Sequence, residues 1–130
     1  MKKLIRIAAS ILVLALLLTG CGKYISSYKA IGFVHSNRSA SAQMSFYSFE
    51  GRMVFRLKSK GEGELKYTAE LESGTATVYY DYSGHKSELF TINPGESLDS
   101  QGGYIEAGTV YVIVETNGKC KNGKIRISIE

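Results

Sequence analysis

Residues 63–82 read GELKYTAELESGTATVYYDY. Leu65, Tyr67, Ala69 and Leu71 alternate there with Glu64, Lys66, Thr68 and Glu70; beyond Ser73-Gly74, Ala76, Val78, Tyr80 and Tyr82 alternate with Thr75, Thr77, Tyr79 and Asp81. A period of two belongs to strands with one buried face, and Ser-Gly pairs at 73–74 and 83–84 read as turns. The same alternation extends upstream, where Met53, Phe55 and Leu57 alternate with Arg52, Val54, Arg56 and Lys58 before the turn Ser59-Lys60-Gly61-Glu62-Gly63. These two segments are expected to be neighbouring antiparallel strands. Downstream, Glu88–Ile92 forms a short strand closed by Asn93-Pro94-Gly95. Val110–Val114, between Gly108 and Asn117-Gly118, is an apolar β-branched run of the kind found in a central strand. Ile125, Ile127 and Ile129 alternate with Lys124, Arg126 and Ser128 after a turn at Asn122-Gly123. Helical periodicity is missing from Cys21 onward. Seven to eight short strands, with turns every 8 to 12 residues, predict an all-β fold: an antiparallel β-sandwich of jelly-roll type.

The chain has 130 residues, 44% of them hydrophobic, with 16 basic against 12 acidic side chains and a net charge of +4. That length suits one small domain. Three of the cations, Lys2, Lys3 and Arg6, stand in the first six positions, so the remainder is close to neutral. Scattered charge near neutrality excludes a nucleic-acid binder that depends on a dense basic face.

Residues 1–21 read MKKLIRIAASILVLALLLTGC. A basic start, an apolar run from Ile7 to Leu18 and small residues before a cysteine are the layout of a signal peptide. Twelve helical residues reach about 18 Å, short of the ~30 Å hydrocarbon core of a bilayer, so the run is not read as a permanent span. Leu18-Thr19-Gly20-Cys21 resembles the lipobox of bacterial lipoproteins. The resemblance implies cleavage before Cys21, a diacylglyceryl thioether on its sulfur, and residence on the outer side of the cell membrane. The expected organisation is a signal peptide over 1–20, a lipidated N-terminus and tether over 21–30, and a β-sandwich domain over 31–130.

From Leu65 onward the layout resembles pre-peptidase C-terminal domains and jelly-roll carbohydrate-binding modules. The segments that carry this likeness are Gly74–Asp81, Glu106–Val114 and Asn122–Ile129. They are strand and turn features, so what the resemblance implies is a fold.

Chemistry-bearing residues are few. With Cys21 lipidated, Cys120 is the remaining cysteine and is expected to fill space at a strand start; an intermolecular disulfide or a reactive thiol is the alternative. His35 and His85 lie fifty residues apart with no partner at metal-ligand spacing, and nothing calls for a cofactor. A hydrolase would have to join His85 to Asp81 or Asp99 and a serine, without a Gly-x-Ser-x-Gly elbow. Glu62 and Glu64 sit in a glycine-rich turn and read as solvated. Tyrosine is abundant, at nine residues, and Trp is absent. Tyr79, beside Asp81 on the outward row of its strand, is the candidate for stacking on a sugar or a protein partner, whereas Tyr80 and Tyr82 are expected in the core. The functional expectation is a non-catalytic, membrane-anchored envelope lipoprotein whose domain binds a protein or an envelope polymer, with a carbohydrate-binding module as the alternative.

Overall fold

In the computed structural model, which describes residues 24–130, the order of strands is β1 (Ser27–Ile31), β2 (Val34–Asn37), β3 (Ser41–Ser59), β4 (Gly63–Tyr82), β5 (His85–Ile92), β6 (Ser97–Ile105) and β7 (Gly108–Ile129). Leu18, Thr19, Gly20 and Cys21 lie outside the described residues. All pairings are antiparallel. β3, β7 and β4 run side by side along their whole lengths, with β7 in the middle.

Each of these three long strands bends at mid-length and so serves two layers. In layer A the order is β2, the first half of β3, the second half of β7, the first half of β4, and β6. Layer B holds β1, the second half of β3, the first half of β7, the second half of β4, and β5. The layers face each other: the Tyr67 ring of layer A stacks on Phe90 of layer B with centroids 4.3 Å apart. A Cβ on Gly103 of β6 would come within 3.0 Å of the Tyr80 ring. This is the jelly-roll sandwich expected from the sequence.

The bends coincide with register breaks, between Phe49 and Arg52 against β7 and between Ser73 and Thr75 against β7. Gly51 and Gly74 have φ of +128° and +88°, conformations that residues with a Cβ rarely adopt. Between the layers lie Met44, Phe46, Phe49, Phe55, Leu57, Leu65, Val78, Ile92, Val110, Val112 and Ile127, all buried. Each large side chain in such a core contributes about 1.5–3 kcal/mol of transfer free energy.

Several expectations are corrected. The segments around Met53–Lys58 and Glu64–Leu71 are not hydrogen-bonded neighbours, because β7 lies between them and the turn at 59–63 carries the chain from layer B to layer A. Alternation and turn length are the same for a hairpin and for such a crossing. Likewise Ser73-Gly74, Asn117-Gly118 and Asn122-Gly123 are interruptions within continuous strands. Ser83-Gly84 is a true hairpin turn, with φ of 57° and 82°, the pattern of a type I′ loop. The tether expected over 21–30 is already sheet from Ser27, since β1 pairs with residues 48–52.

Candidate functional site

Two outward faces carry chemistry. On layer B, strand alternation turns Thr77, Tyr79 and Asp81 outward, next to Glu115, Ile113 and Tyr111 of β7. Here the structure brings Tyr79 and Asp81 onto one face, as their spacing requires, and uses both within the chain. The Tyr24 hydroxyl donates a hydrogen bond to Asp81 Oδ2, and Asp81 is buried. Lys86 Nζ lies 4.4 Å from the centroid of the half-buried Tyr79 ring, a cation–π contact. Arg52 and Lys86 approach Glu115 Oε1 at 2.6 and 3.6 Å. Ile113 is fully buried although it belongs to this outward row. Face B is thus closed by the N-terminal segment.

Burial, reinforced by the Asp81 carboxylate, pushes the Tyr24 phenol up to about 12 from an ordinary 10. The fold favours the neutral phenol. Its contribution is therefore complete below pH 10 and is lost as pH rises through about 12. Tyr24→Phe leaves Asp81 without its donor, so we expect it to cost about 1–3 kcal/mol at neutral pH. The gap to wild type should close between pH 10 and 12; equal melting temperatures of the two proteins at neutral pH would contradict this contact.

Face A is open. Its outward rows come from five strands: Val34 and Ser36 on β2, Gln43 and Ser45 on β3, Lys124, Arg126 and Ser128 on β7, Lys66, Thr68 and Glu70 on β4, and Ser97, Asp99 and Gln101 on β6. Four depressions adjoin one another across these rows. The first, of about 320 Å³, is lined by Val34, Gln43, Ser45, Thr68, Lys124 and Arg126. Another, of about 220 Å³, adds Ser36 and Arg38 and shares Gln43 and Arg126. A third, of about 300 Å³, joins Arg126 to Lys66, Ser128 and Glu130. The fourth, of about 370 Å³, continues past Lys66 and Glu130 to Gln101 and Tyr104. Arg126 borders three of the four. With strands about 4.8 Å apart, the path from β2 to β6 is about 19 Å long.

The charge along this groove is graded. Glu62, Glu64 and Glu130 border its β6 end, where Lys66 Nζ lies 3.8 Å from Glu130. At the other end Arg38, Lys124 and Arg126 outnumber Glu70, the cross-strand neighbour of Lys124, and have no carboxylate within ion-pair distance among the described residues. Serine, threonine and glutamine supply neutral donors and acceptors between them. Such a surface can hold a hydroxyl-rich chain and attract negative charge at its β2 end.

The remaining candidates are placed apart. His85 closes the β4–β5 hairpin on layer B, while Asp99 pairs with Thr68 on layer A. Neither aspartate is hydrogen-bonded to His85 among the described residues. His35 stacks on Phe33 with centroids 4.8 Å apart. Glu62 is exposed in the β3–β4 turn. No group of three or more His, Cys, Asp or Glu side chains suited to a metal occurs among the described residues. Cys120 is buried, its thiol donates to the Thr75 carbonyl at 3.4 Å, and burial pushes its pKa up. It fills space, as expected, but in the middle of β7 at its bend and not at a strand start. Tyr80 and Tyr82 pack against the core, also as predicted.

Sequence reasoning passed over Gln43, Lys66, Thr68, Lys124 and Arg126 because each is simply the polar partner in an alternating strand. Only the order of strands across layer A reveals them as neighbours.

No protein family and no curated protein matches the sequence. Among solved structures, the chain is similar to the pre-peptidase C-terminal domain of a collagenase from Bacillus anthracis, with 12% identity and a TM-score of 0.48, over 73% of this chain and 91% of that one. A family 4 carbohydrate-binding module gives 8% identity and a TM-score of 0.44, over 84% and 82% of the two chains. A ruminal GH26 endo-β-1,4-mannanase gives 14% identity and a TM-score of 0.43 over 63% of this chain, which spans only 19% of the mannanase. Both groups named from the sequence, pre-peptidase C-terminal domains and carbohydrate-binding modules, are thus present among the similar structures. The fold assignment rests on strand order and register.

Proposed function

We propose that this chain is a lipid-anchored, extracytoplasmic binding module without a catalytic centre, and that its groove on face A holds a hydroxyl-rich, negatively charged polymer of the cell envelope. The observation that carries the reading is the convergence of three adjoining depressions on Arg126, on a face that crosses five strands. A guanidinium free of carboxylate partners offers a planar set of donors to phosphate or carboxylate groups. Flanking Gln43, Thr68 and Ser128 match hydroxyls. The closed state of face B directs the ligand to face A, so Tyr79 is not needed for binding on this account.

Anchoring rests on the lipobox resemblance of Leu18-Thr19-Gly20-Cys21. The polymer reading is tested by sedimenting residues 22–130, which include every described strand, with purified cell-wall preparations, alongside the Arg126→Ala and Tyr79→Ala variants. Because the cationic end provides long-range attraction, retention is also expected to weaken as salt is raised through the range in which the Debye length falls from about 10 Å to 3 Å. Retention indifferent to salt would contradict an anionic ligand.

A further inference from the structure

We infer that the edge formed by β1, β2 and the neighbouring Tyr47 lies in the headgroup layer of the membrane, so that the domain rests on the bilayer. This rests on the lipid-anchored reading above and adds a protein surface to it. Six large apolar side chains are exposed among the described residues, and five of them fall within residues 25–47: Ile25 at 74%, Tyr28 at 40%, Ile31 at 62%, Val34 at 65% and Tyr47 at 56%. Only Tyr104 lies elsewhere. β1 and β2 are both edge strands, each paired on one side with β3. Gly32, with φ of +61°, brings the turn between them against Tyr47, where a Cβ would come within 3.2 Å of the Tyr47 Cβ. Tyr47 is thereby joined to the edge. An exposed apolar edge strand is a hazard in solution, and such patches mark surfaces that are covered in use.

Chain geometry names the cover. Tyr24 is fixed to the body of the domain by its hydrogen bond to Asp81, and Cys21 is three residues earlier in the sequence. Three residues span at most about 11 Å, so a lipid on Cys21 stays near Tyr24 on face B, and the six residues from Cys21 to Ser27 keep the start of β1 within about 20 Å of it. Tyrosine is favoured at the membrane–water interface, and an apolar face enters it by about 5–10 Å. Lys29 and Arg38 lie on the same edge and suit anionic headgroups; Glu50, opposite Lys29, is the acidic group beside them. The groove on face A then begins next to the bilayer at β2 and runs away from it toward β6.

The test uses the lipidated mature protein, residues 21–130, in phosphatidylglycerol–phosphatidylethanolamine vesicles with brominated acyl chains. The chain has no Trp, so Tyr47→Trp and Tyr104→Trp each carry a single reporter. For interfacial insertion we expect roughly twofold or greater quenching and a blue shift at position 47, and neither at position 104. Val34→Trp repeats the measurement on β2 should Tyr47→Trp fail to fold. Equal quenching at both positions, or none at position 47 while the protein stays on the vesicles, would overturn the inference; the second result with cross-linked pairs would indicate that another copy covers the edge. If the wild-type protein does not sediment with vesicles and its N-terminal peptide lacks a diacylglyceryl group, the anchoring itself is refuted, a result distinct from an anchored domain whose edge stays in water.

Discussion

Gly74→Ala should unfold this domain at far lower denaturant concentration than wild type. Gly74 sits where β4 leaves layer A for layer B, with φ of +88°. An added Cβ would lie 2.7 Å from Lys119 O and Cys120 Sγ and 2.8 Å from Cys120 Cα, and two of these three atoms belong to backbone that cannot move aside as a flexible side chain can. Backbone strain of this kind costs about 1–3 kcal/mol. Overpacking against the neighbouring strand adds about 1–3 kcal/mol. The sum is a large part of the ~5–15 kcal/mol that holds a small domain together. Gly61, whose added Cβ meets nothing within 4 Å, is the control, and Gly61→Ala should stay within about 0.5 kcal/mol. Equal unfolding midpoints for the two variants would mean that the bend of β4 tolerates another conformation.

Cys21→Ala has an all-or-none expected effect on location. Each buried methylene contributes about 0.8 kcal/mol, so two acyl chains supply on the order of 20 kcal/mol of transfer free energy, while a single chain binds only marginally. Wild-type protein should yield an N-terminal peptide beginning at Cys21 and carrying a diacylglyceryl mass. The variant should keep residues 1–20 and carry no lipid. A Cys21→Ala product that is cleaved normally and retained by the membrane would contradict the lipobox reading.

Strand content was legible wherever one face of the strand is buried. Met53, Phe55 and Leu57, then Leu65, Ala69 and Leu71, and finally Ile125 and Ile127, all point inward as their alternation predicts. Val110, Val112 and Val114 do lie in the central strand β7, and Ile113 between them is buried on the opposite face. Of the edge strands, β5 was legible in part, through Glu88–Ile92, and the others were not. Ser97–Ile105 reads as polar chain because one side of β6 pairs with nothing among the described residues and Gly102-Gly103 packs by lacking side chains. β1 was hidden because its apolar residues are largely exposed and show no alternation.

Which strands are neighbours is a long-range property. β3 and β4 are consecutive in sequence, yet β7, from the far end of the chain, separates them. For that reason the groove was beyond sequence reasoning: Gln43, Thr68 and Arg126 come together only through the pairing of three distant segments. Tyr79 and Asp81 were placed correctly on one outward face. What the alternation did not show is that Tyr24, some fifty-seven residues away from Asp81, occupies that face.

Retention of residues 22–130 on purified cell-wall polymer, measured side by side for wild type, Arg126→Ala and Tyr79→Ala, bears most directly on the proposed function. Arg126 is exposed, so its replacement should leave stability within about 0.5 kcal/mol of wild type. A hydrogen bond to a charged group is worth about 1.5–3 kcal/mol, which is roughly a ten- to hundredfold loss of affinity. We expect Arg126→Ala to lose retention by that factor and Tyr79→Ala to retain it. Loss in Tyr79→Ala with Arg126→Ala unaffected, or no retention of the wild-type domain on any wall polymer, would contradict the assignment of face A as the binding site.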